Sequence, residues 1–484
     1  MFPSKSKEKP VSTGMRPTDM PELPEVETVR RELTKRIVNK TFDKPVVFFK
    51  GMIKTPLNEY VQGLENKTIL EIRRRGKFLI FLLNDDHQVL FHLRMEGKLF
   101  VVDKESHPSS HLSLFIPFRN DEEGLAFYDV RKFGVSYYLK KDEEGPLEEL
   151  GREPFEINDP QYLFDIYKTK KKPIKELLLD QSIMSGLGNI YADEVCFASS
   201  ISPFMPGNKV TLKNCEDILS NSIRILTQSI ENHGSTVRSY KATEDVEGSF
   251  QNFLKVYSRD GKECTRCKTF KIEKRKLEGR GTSYCPKCQH TGVSLAITGK
   301  IGSGKSLALS YFRELGYKTM SCDEEVGKLY KDKAFLTELK KKFPDVFNPE
   351  VDKVLVSEKL VSDKAFKRNY QNFIFSIIRR RVNEFIIDND DVNKAIEVPL
   401  LFDAKMDKGF TYLIGCETTR QEEHLKERGD KDIEDRLKFN NLNSYDKNHH
   451  KLDFILKTDG TKEHLKEQVE NIDRKIKEKL TSSL

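Results

Sequence analysis

Short apolar segments separated by turn residues dominate the chain from Val46 to Leu139. The clearest are the runs at 78–83, 89–93, 112–116 and 125–128. Strands this short, punctuated by turns, are typical of antiparallel sheets that pack face to face or close on themselves. The pattern predicts an antiparallel β-sandwich or barrel for this part of the chain.

A helical period replaces the strand pattern on either side of this region. One helix is predicted from Met20-Pro-Glu-Leu-Pro-Glu-Val-Glu27 through about Arg36. Further helices are predicted between about residues 160 and 232, interrupted by Gly186-Leu-Gly-Asn189. Residues 1–19 are polar and have little to bury, so we expect a disordered extension there.

The second half of the chain alternates strand and helix. Apolar strand patterns occur at 296–298, 396–398, 412–415 and 454–456, and the first helix between them begins at Lys305. Alternation of this kind predicts an α/β fold with a parallel sheet.

The composition describes a soluble protein of several domains. With 484 residues, 37% of them hydrophobic and 33% charged, the chain is expected to form two to four domains. We find no apolar run of the ~18 residues that span a membrane and no signal segment, so we expect a cytoplasmic monomer that does not bind membranes. The net charge of +7 does not by itself indicate a nucleic-acid partner.

Four of the eight cysteines form two Cys-x-x-Cys knuckles, Cys264-Thr-Arg-Cys267 and Cys285-Pro-Lys-Cys288. Two tight turns at this spacing aim four sulfurs at one tetrahedral ion, so we expect a structural Zn²⁺ without an open position. Basic residues cluster at 262–280, and also at 73–77 and 170–172. One such cluster is typical of a solvated surface, but three beside a zinc ribbon favour contacts with DNA phosphates.

A complete phosphate-binding loop follows the second knuckle. The strand Leu295-Ala-Ile-Thr298 leads into Gly299-Lys-Ile-Gly-Ser-Gly-Lys305-Ser306, which matches the G-x-x-x-x-G-K-[ST] pattern. Backbone N–H groups of such a loop wrap the phosphates of ATP, the lysine reaches the β and γ oxygens, and the serine hydroxyl serves Mg²⁺. The predicted ATP ligands here are Gly299, Gly302, Ser303, Gly304, Lys305 and Ser306.

The zinc ribbon and the loop indicate two proteins joined at a hinge near residue 293. Loss of the zinc ligand Cys267 is therefore expected to abolish activity of the first protein and to leave ATP chemistry intact.

Residues 20–290 resemble formamidopyrimidine-DNA glycosylase. The motifs that carry the resemblance are Met20-Pro-Glu-Leu-Pro-Glu-Val-Glu27, Lys175-Glu-Leu-Leu-Leu-Asp-Gln181, Gly186-Leu-Gly-Asn-Ile-Tyr-Ala-Asp-Glu194 and Gly279-Arg-Gly-Thr-Ser-Tyr-Cys-Pro-Lys-Cys-Gln289. The resemblance implies excision of oxidised purines, such as 8-oxoguanine and formamidopyrimidines, followed by cleavage of the abasic strand. The damaged base must first be flipped out of the duplex.

The resemblance also implies which residues carry the chemistry. Pro21, as a chain terminus with a free secondary amine, attacks the sugar carbon and forms an iminium. Glu22 is the acid–base group and Glu25 a structural or helper carboxylate. Lys77 assists strand cleavage, and Arg280 engages the phosphate beside the lesion. A Pro-Glu pair alone is more typical of the first turn of a helix, so the assignment depends on the rest of the motif.

Six further residues are implied to contact the DNA. Met95, Arg131 and Phe133 fill the gap left by the flipped nucleotide, where an apolar wedge and a cation replace lost stacking and pairing. Phosphate contacts are implied for His111, Lys171 and Asn189.

Residues from about 293 to 480 resemble dephospho-CoA kinase. The resemblance rests on Phe312-Arg-Glu-Leu-Gly316, Asp323, Val398-Pro-Leu-Leu-Phe402 and a late array of Gln421, Arg428 and Arg436. It implies transfer of the γ-phosphoryl group of ATP to the ribose 3′-hydroxyl of dephospho-CoA. Asp323 is then the base, and Arg428 and Arg436 are lid arginines that neutralise charge. The chain departs from the family pattern at Ser321-Cys322, Phe375-Ser376 and His424, which bears on how the acceptor binds.

The predicted architecture is multidomain, with an α+β first half and an α/β second half. It comprises an extension at 1–19, a β-sandwich catalytic domain at 20–150, a helix-two-turn-helix DNA-binding domain at 151–260, a zinc finger at 261–290 and a P-loop dephospho-CoA kinase-like domain at 293–484.

Two other functions fit parts of the pattern. The first is a zinc-ribbon protein that uses the loop as a DNA-dependent ATPase motor, although such a motor normally has a hydrophobic strand ending in Asp-Glu. The second is a lesion-binding protein without base excision, which results if Pro21 stays in a peptide bond, because an amide nitrogen is not nucleophilic. Translation from Met20 with loss of the methionine, or removal of residues 1–20, would free this nitrogen; we expect the start at Met20, with Pro21 as the mature terminus.

Overall fold

The structure, a computed structural model, describes residues 21–105, 110–235, 249–347, 350–430, 433–438 and 444–481. The extension expected at 1–19 lies outside these residues. Packing divides the chain into two compact units, Met1–Val195 with Gly207–Leu254, and Cys196–Pro206 with Lys255–Leu484. The second unit contains both the cysteine knuckles and the phosphate-binding loop.

The first unit is built from two antiparallel sheets and a set of helices. The strands are β1 (Val46–Val47), β2 (Ile69–Arg75), β3 (Phe78–Leu83), β4 (His87–His92), β5 (Lys98–Asp103), β6 (Leu112–Pro117), β7 (Glu123–Tyr128) and β8 (Val135–Lys140). The helices are α1 (Leu23–Ile37), α2 (Leu57–Leu64), α3 (Gln161–Tyr167), α4 (Ile174–Leu179), α5 (Asn189–Ala198, whose end enters the second unit) and α6 (Leu212–Glu231).

The strand orders are β1-β6-β7-β5 and β2-β3-β4-β8, and every pair is antiparallel. One buried core contains side chains from α1 and from both sheets. The predicted antiparallel sandwich is therefore confirmed.

Strand β3 shows why its sequence lacks the usual alternation of apolar and polar residues. All six of its residues are buried. Alternate side chains point to opposite faces, so Leu79, Phe81 and Leu83 enter the sandwich core. The other three, Phe78, Ile80 and Leu82, form a second cluster with Leu90. A strand covered on both faces has no need for a polar side.

The second unit joins a two-stranded hairpin to a five-stranded parallel sheet. Its strands are β9 (Glu273–Leu277), β10 (Arg280–Tyr284), β11 (Ser294–Gly299), β12 (Lys318–Ser321), β13 (Lys394–Glu397), β14 (Tyr412–Glu417) and β15 (Phe454–Lys457). Its helices are α7 (Lys305–Glu314), α8 (Cys322–Leu329), α9 (Lys333–Lys342), α10 (Lys353–Ser362), α11 (Lys364–Asp388), α12 (Gln421–Glu427), α13 (Ile433–Lys438) and α14 (Lys462–Thr481).

The parallel strands lie in the order β12-β13-β11-β14-β15, which confirms the predicted α/β fold. Strand β11 is central and ends at Gly299, so the phosphate-binding loop lies at the carboxyl edge of the sheet, where such sheets bind their ligands. In the described parts of the chain, every helix is too short or too polar to cross a bilayer.

Candidate active sites and zinc centre

The side chain of Glu22 contacts the amino end of α5, although the two are far apart in the sequence. Glu22 is the N-cap residue of α1, whose first residue follows it, and only 1% of the residue is exposed. The carboxylate accepts hydrogen bonds from the backbone N–H groups of Gly188, at 2.5 Å, and Ile190, at 2.8 Å. A Cβ atom on Gly188 would lie 2.4 Å from the carboxyl carbon of Glu22, so glycine is required for this approach. The arrangement is an anion site at a helix terminus.

Glu25 is buried beside Glu22 and is held by three other residues. Its Oε2 accepts from the backbone N–H of Glu22 at 3.0 Å. Its Oε1 accepts from the hydroxyl of Tyr191 at 2.6 Å and from the backbone N–H and hydroxyl of Ser235 at 2.7 and 2.9 Å. This contact set fits the supporting role expected for Glu25.

Burial controls the charge of this pair. It raises the pKa of Glu22 to about 8, although Lys77 opposes the shift and the charge of Glu25 adds to it. Burial also raises the pKa of Glu25. A carboxyl group with a raised pKa holds a proton at neutral pH that it can donate.

Lys77 approaches the same segment from the turn between β2 and β3. Its Nζ donates to the backbone carbonyl of Leu187 at 2.7 Å, and 8% of the residue is exposed. Because Leu187 precedes Gly188, the loop before α5 contacts both Lys77 and Glu22. Pro21 is buried immediately before Glu22. The structure thus brings Glu22 and Lys77 to one loop, with Pro21 adjacent in the chain.

The arginines at 73–75 pair with carboxylates of the first unit. Arg74 makes a two-pronged ion pair with Glu153, at 2.6 and 2.9 Å, and both residues are mostly buried. Arg75 pairs with Glu156 at 2.8 Å. Arg74 and Arg75 therefore hold the sandwich to the segment that follows it.

Met95, Arg131 and Phe133 come together at the surface. Nη1 of Arg131 lies 3.4 Å from the sulfur of Met95, and its guanidinium lies 5.5 Å from the ring centre of Phe133, which is 52% exposed. Asp129 shapes the turn that presents them, accepting from the N–H of Arg131 and of Gly134. An exposed aromatic ring, a thioether and a cation in contact form a suitable wedge for a gap in stacked bases.

The predicted phosphate ligands lie on turns and at a helix start. His111 is exposed in a turn with φ of 63°, and its carbonyl accepts from the N–H of Asp129. Lys171 is exposed in the loop before α4. Asn189 begins α5, and its Oδ1 is buried with no hydrogen-bond partner among the described residues. Their contacts with DNA stay predictions.

The four knuckle cysteines of the second unit form one cluster. Their sulfurs all lie within 4.8 Å of one another, with 3.7 Å between Cys264 and Cys288 and between Cys267 and Cys285. Four sulfurs at ~2.3 Å from a tetrahedral Zn²⁺ are about 3.8 Å apart, so the cluster fits a structural zinc ion. Arg280 is exposed beside the tip of the β9–β10 hairpin, where Glu278 and Gly279 have positive φ.

The phosphate-binding loop connects β11 to α7. Gly302 and Gly304 have φ of 77° and 80°, which favour glycine, and a Cβ atom on Gly302 would lie 2.7 Å from the carbonyl oxygen of Gln421. Lys305 is 8% exposed, and its Nζ donates to the carbonyl of Lys300 at 2.9 Å. The predicted loop geometry is present.

A carboxylate that the sequence did not single out completes this site. Glu397 ends β13, is 4% exposed, and accepts from the hydroxyl of Ser306 at 3.1 Å and that of Ser321 at 3.1 Å. Burial raises its pKa, and Lys305 opposes the shift. The sequence shows Glu397 only as an acid at the end of an apolar strand. Its pairing with Ser306 could not be predicted, because about ninety residues separate the two.

The charges of Asp323 and Arg428 both affect the pKa of Lys305. Burial lowers the pKa of Lys305; Glu397 and Asp323 oppose this shift, and Arg428 adds to it. Asp323 is exposed in the first turn of α8, and Arg428 donates from Nε to Asp430 at 2.6 Å.

Two further residues considered for the kinase site, His424 and Arg436, lie in α12 and α13. Nδ1 of His424 is 2.9 Å from the carbonyl oxygen of Gly302. Arg436 belongs to α13, but its side chain lies outside the described residues.

Models of three protein families match the chain. The formamidopyrimidine-DNA glycosylase N-terminal domain matches residues 20–136, and the formamidopyrimidine-DNA glycosylase H2TH domain matches 150–241. The dephospho-CoA kinase family matches 293–461. The motor alternative therefore gains no support.

Relatives cover the first half almost completely. The formamidopyrimidine-DNA glycosylases of Mycoplasma mobile and Streptococcus pneumoniae are 41% and 42% identical over 274 residues, which are 56% of this chain and 99% of each relative. Crystal structures of Lactococcus lactis Fpg with DNA containing an abasic site or Fapy-dG cover 55–56% of this chain and 99% of that protein, at 37% identity and a TM-score of 0.52. The chain belongs to the formamidopyrimidine-DNA glycosylase family and carries a dephospho-CoA kinase domain in its second half.

Proposed function

We propose that the first half excises oxidised purines from duplex DNA and then cuts the abasic strand. The observation that carries this proposal is the buried Glu22, held at the amino end of α5 beside Lys77 and next to Pro21. The solved relatives, which are complexes with damaged DNA, support the substrate class.

Each residue has a distinct task in this proposal. The nitrogen of Pro21, as a free amine, bonds to the sugar carbon while the electron pair of the glycosidic bond leaves with the base. Opening of the sugar ring converts the adduct into an iminium, and loss of a neighbouring C–H proton expels the 3′ phosphate. Glu22 serves as the acid–base group, and Lys77 assists the cleavage.

DNA positioning follows from the other exposed groups. Met95, Arg131 and Phe133 fill the space of the flipped nucleotide. His111, Lys171, Asn189 and Arg280 contact phosphates, and a structural Zn²⁺ held by Cys264, Cys267, Cys285 and Cys288 keeps the finger folded.

The test of this half is a duplex that carries a single 8-oxoguanine. We expect the purified protein with Pro21 as its terminal residue to release the free base and to cut the strand at that position, and to leave an undamaged duplex intact. Binding of the lesion duplex without base release would favour the lesion-binding alternative instead.

We propose that the second half transfers the γ-phosphoryl group of ATP to the 3′-hydroxyl of dephospho-CoA. The observation that carries it is the phosphate-binding loop with Lys305, Ser306 and Glu397 at one edge of the sheet. Mg²⁺, when bound, would supply charge for the transferring phosphates, and Ser306 and Glu397 are the residues that would hold it. Asp323 takes the hydroxyl proton as the new P–O bond forms and the bond between the γ-phosphorus and ADP breaks, and Arg428 and Arg436 neutralise charge.

Labelled ATP tests this half. We expect label from the γ position to appear in CoA when dephospho-CoA and Mg²⁺ are present. ATP hydrolysis that requires DNA and ignores dephospho-CoA would instead indicate a motor.

A further inference from the structure

The zinc cluster shares its hydrophobic core with the parallel sheet of the kinase. Cys264, Cys285 and Cys288 belong to the same buried cluster as Leu295 and Ile297 of the central strand β11. The same cluster includes Phe270 and Ile272 of the finger and Ala308 and Phe312 of α7. The ring centres of Phe270 and Tyr412, at the start of β14, are 6.0 Å apart.

A buried polar network joins the hairpin β9–β10 to the same sheet. Arg275 of β9 donates to Tyr284 at 2.6 Å, to Glu273 at 3.0 Å, and to the hydroxyl of Ser294 in β11 at 2.8 Å. Glu273 in turn accepts from the hydroxyl of Thr411 at 2.5 Å. Arg275 and Glu273 are 5% and 4% exposed, so the ion pair is shielded from water.

Three further hydrogen bonds connect the finger, and Thr291 directly after it, to the kinase elements. The Nζ of Lys394 in β13 donates to the carbonyl of Thr291 at 2.7 Å. The side chain of Asn383 in α11 donates to the carbonyl of Lys276 at 2.7 Å. Lys287, which lies inside the second knuckle, donates to the carbonyl of Lys479 in α14 at 2.9 Å. The finger therefore contacts β11, β13, α11 and α14 as well as the segment before β14.

We infer that the zinc ion is a structural cofactor of the kinase as well as of the DNA-binding finger. Zinc holds the two knuckles together, and the knuckles hold β9 and β10 against the sheet. Without the metal the hairpin is no longer fixed against the sheet. The buried pair of Arg275 and Glu273 then loses the packing that keeps Ser294 and Thr411 beside it. The sequence-based expectation that ATP chemistry survives loss of Cys267 is accordingly revised.

The test follows hydrogen exchange in the full chain before and after zinc is removed with a zinc-selective chromophoric chelator. We expect β11 and β14 to lose protection at least tenfold once zinc is released, while β3 of the first unit keeps its protection. Unchanged exchange in β11 and β14 after complete zinc release would overturn the inference. This measurement requires neither catalytic activity, so it is independent of the proposed functions.

A reciprocal measurement covers the case in which zinc removal causes aggregation. Binding of ATP stabilises the kinase fold, so it should slow zinc release to the chelator several-fold, since coupling between two sites acts in both directions. ATP in solution can also bind zinc directly. Lys305→Ala controls for this effect, because it lacks the lysine that binds the phosphates of ATP.

A point variant tests the connecting network with zinc in place. Thr411→Val removes the hydroxyl that contacts Glu273 and should speed zinc release, whereas Thr337→Val on the exposed face of α9 should not. The inference would be contradicted if ATP did not change the rate of zinc release from wild type and if Thr411→Val released zinc at the wild-type rate.

Discussion

Glu22 is a carboxyl group that the fold keeps away from water and surrounds with backbone donors. Burial raises its pKa, while the N–H groups of Gly188 and Ile190 favour its charged form. Because the two effects oppose each other, the group can hold a proton near neutral pH and still be stabilised after giving it up. An acid with these properties suits a reaction in which a proton is first donated and later removed.

The raised pKa of Glu22 predicts how stability depends on pH. Burial raises this pKa from 4.5 to about 8, so between these values the folded chain keeps a proton that the unfolded chain has lost. The free energy of unfolding of the first unit should therefore fall as pH rises from 4.5 to about 8, by at most ~1.4 kcal/mol per pH unit, and level off above that. Urea unfolding at several pH values measures the slope.

Glu22→Gln should remove this part of the slope and reduce base excision by about 10²-fold or more. Glu59→Gln, an exposed acid on α2, is the matched control and should change neither. If wild type and Glu22→Gln show the same pH dependence, the assigned protonation of Glu22 is wrong.

Asp323 gives a second prediction for a single residue. Asp323→Asn removes the proton acceptor and leaves the phosphate-binding loop unchanged, so phosphoryl transfer should fall by about 10²-fold or more while ATP affinity stays within threefold. Isothermal titration and a transfer assay measure the two quantities. Glu324→Gln, the exposed neighbour in α8, should retain both, and a normal transfer rate in Asp323→Asn would contradict the role of base.

At the scale of elements, the start of α5 positions the chemistry of the first unit. The loop that precedes this helix contacts Lys77 through Leu187 and Glu22 through Gly188. Two consecutive residues, Leu187 and Gly188, therefore contact a lysine and an acid that lie far apart in the sequence. Any change in the entry to α5 should move both groups.

Gly188→Ala tests this dependence on the start of α5. The new Cβ atom would lie 2.4 Å from the carboxyl carbon of Glu22, so the carboxylate or the helix must shift. We expect a loss of ~1–3 kcal/mol in the free energy of unfolding and loss of base excision. Gly327→Ala in α8 has nothing within 4 Å of its Cβ atom, so it should be neutral or slightly stabilising. Normal excision by Gly188→Ala would show that the close approach is not needed.

Sequence patterns predicted most elements because they depend on local periodicity. The antiparallel strands between 46 and 139 and the parallel strands after 293 are both observed. What the patterns could not supply were contacts made across the fold. Ile396-Glu-Val398 resembles an ordinary strand end, and the role of Glu397 becomes visible only when Ser306 lies beside it. In the same way, the contacts of Glu25 with Tyr191 and Ser235 depend on segments that are far apart in sequence.

At the scale of the whole molecule, one chain carries two chemistries, and the boundary between its compact units differs from the boundary between its two sets of motifs. The motifs place a junction near residue 293, whereas packing places the finger in the unit of the kinase. The reason is physical. The residues that join finger and sheet, such as Arg275 and Ser294, have no recognisable spacing in sequence.

Lys305→Ala tests whether the two activities are separable at the level of catalysis. The variant loses a phosphate-binding charge and should lose at least 10²-fold in phosphoryl transfer. Base excision should stay within twofold of wild type, because the residues assigned to it lie before 290. Lys300→Ala, a neighbouring lysine of the same loop, is the milder comparison. Parallel loss of both activities in a folded Lys305→Ala protein would indicate a single coupled machine.

The central claim is that the first half works through the amine of Pro21, and covalent trapping tests it most directly. Borohydride reduces an iminium between protein and sugar to a stable adduct. A chain that begins at Pro21 and a chain that retains residues 1–20 and resists processing are each incubated with an 8-oxoguanine duplex and borohydride, and their terminal residues are determined in parallel. The account predicts a trapped complex for the chain that begins at Pro21 and none for the longer chain. Equal trapping by both chains would remove Pro21 as the nucleophile.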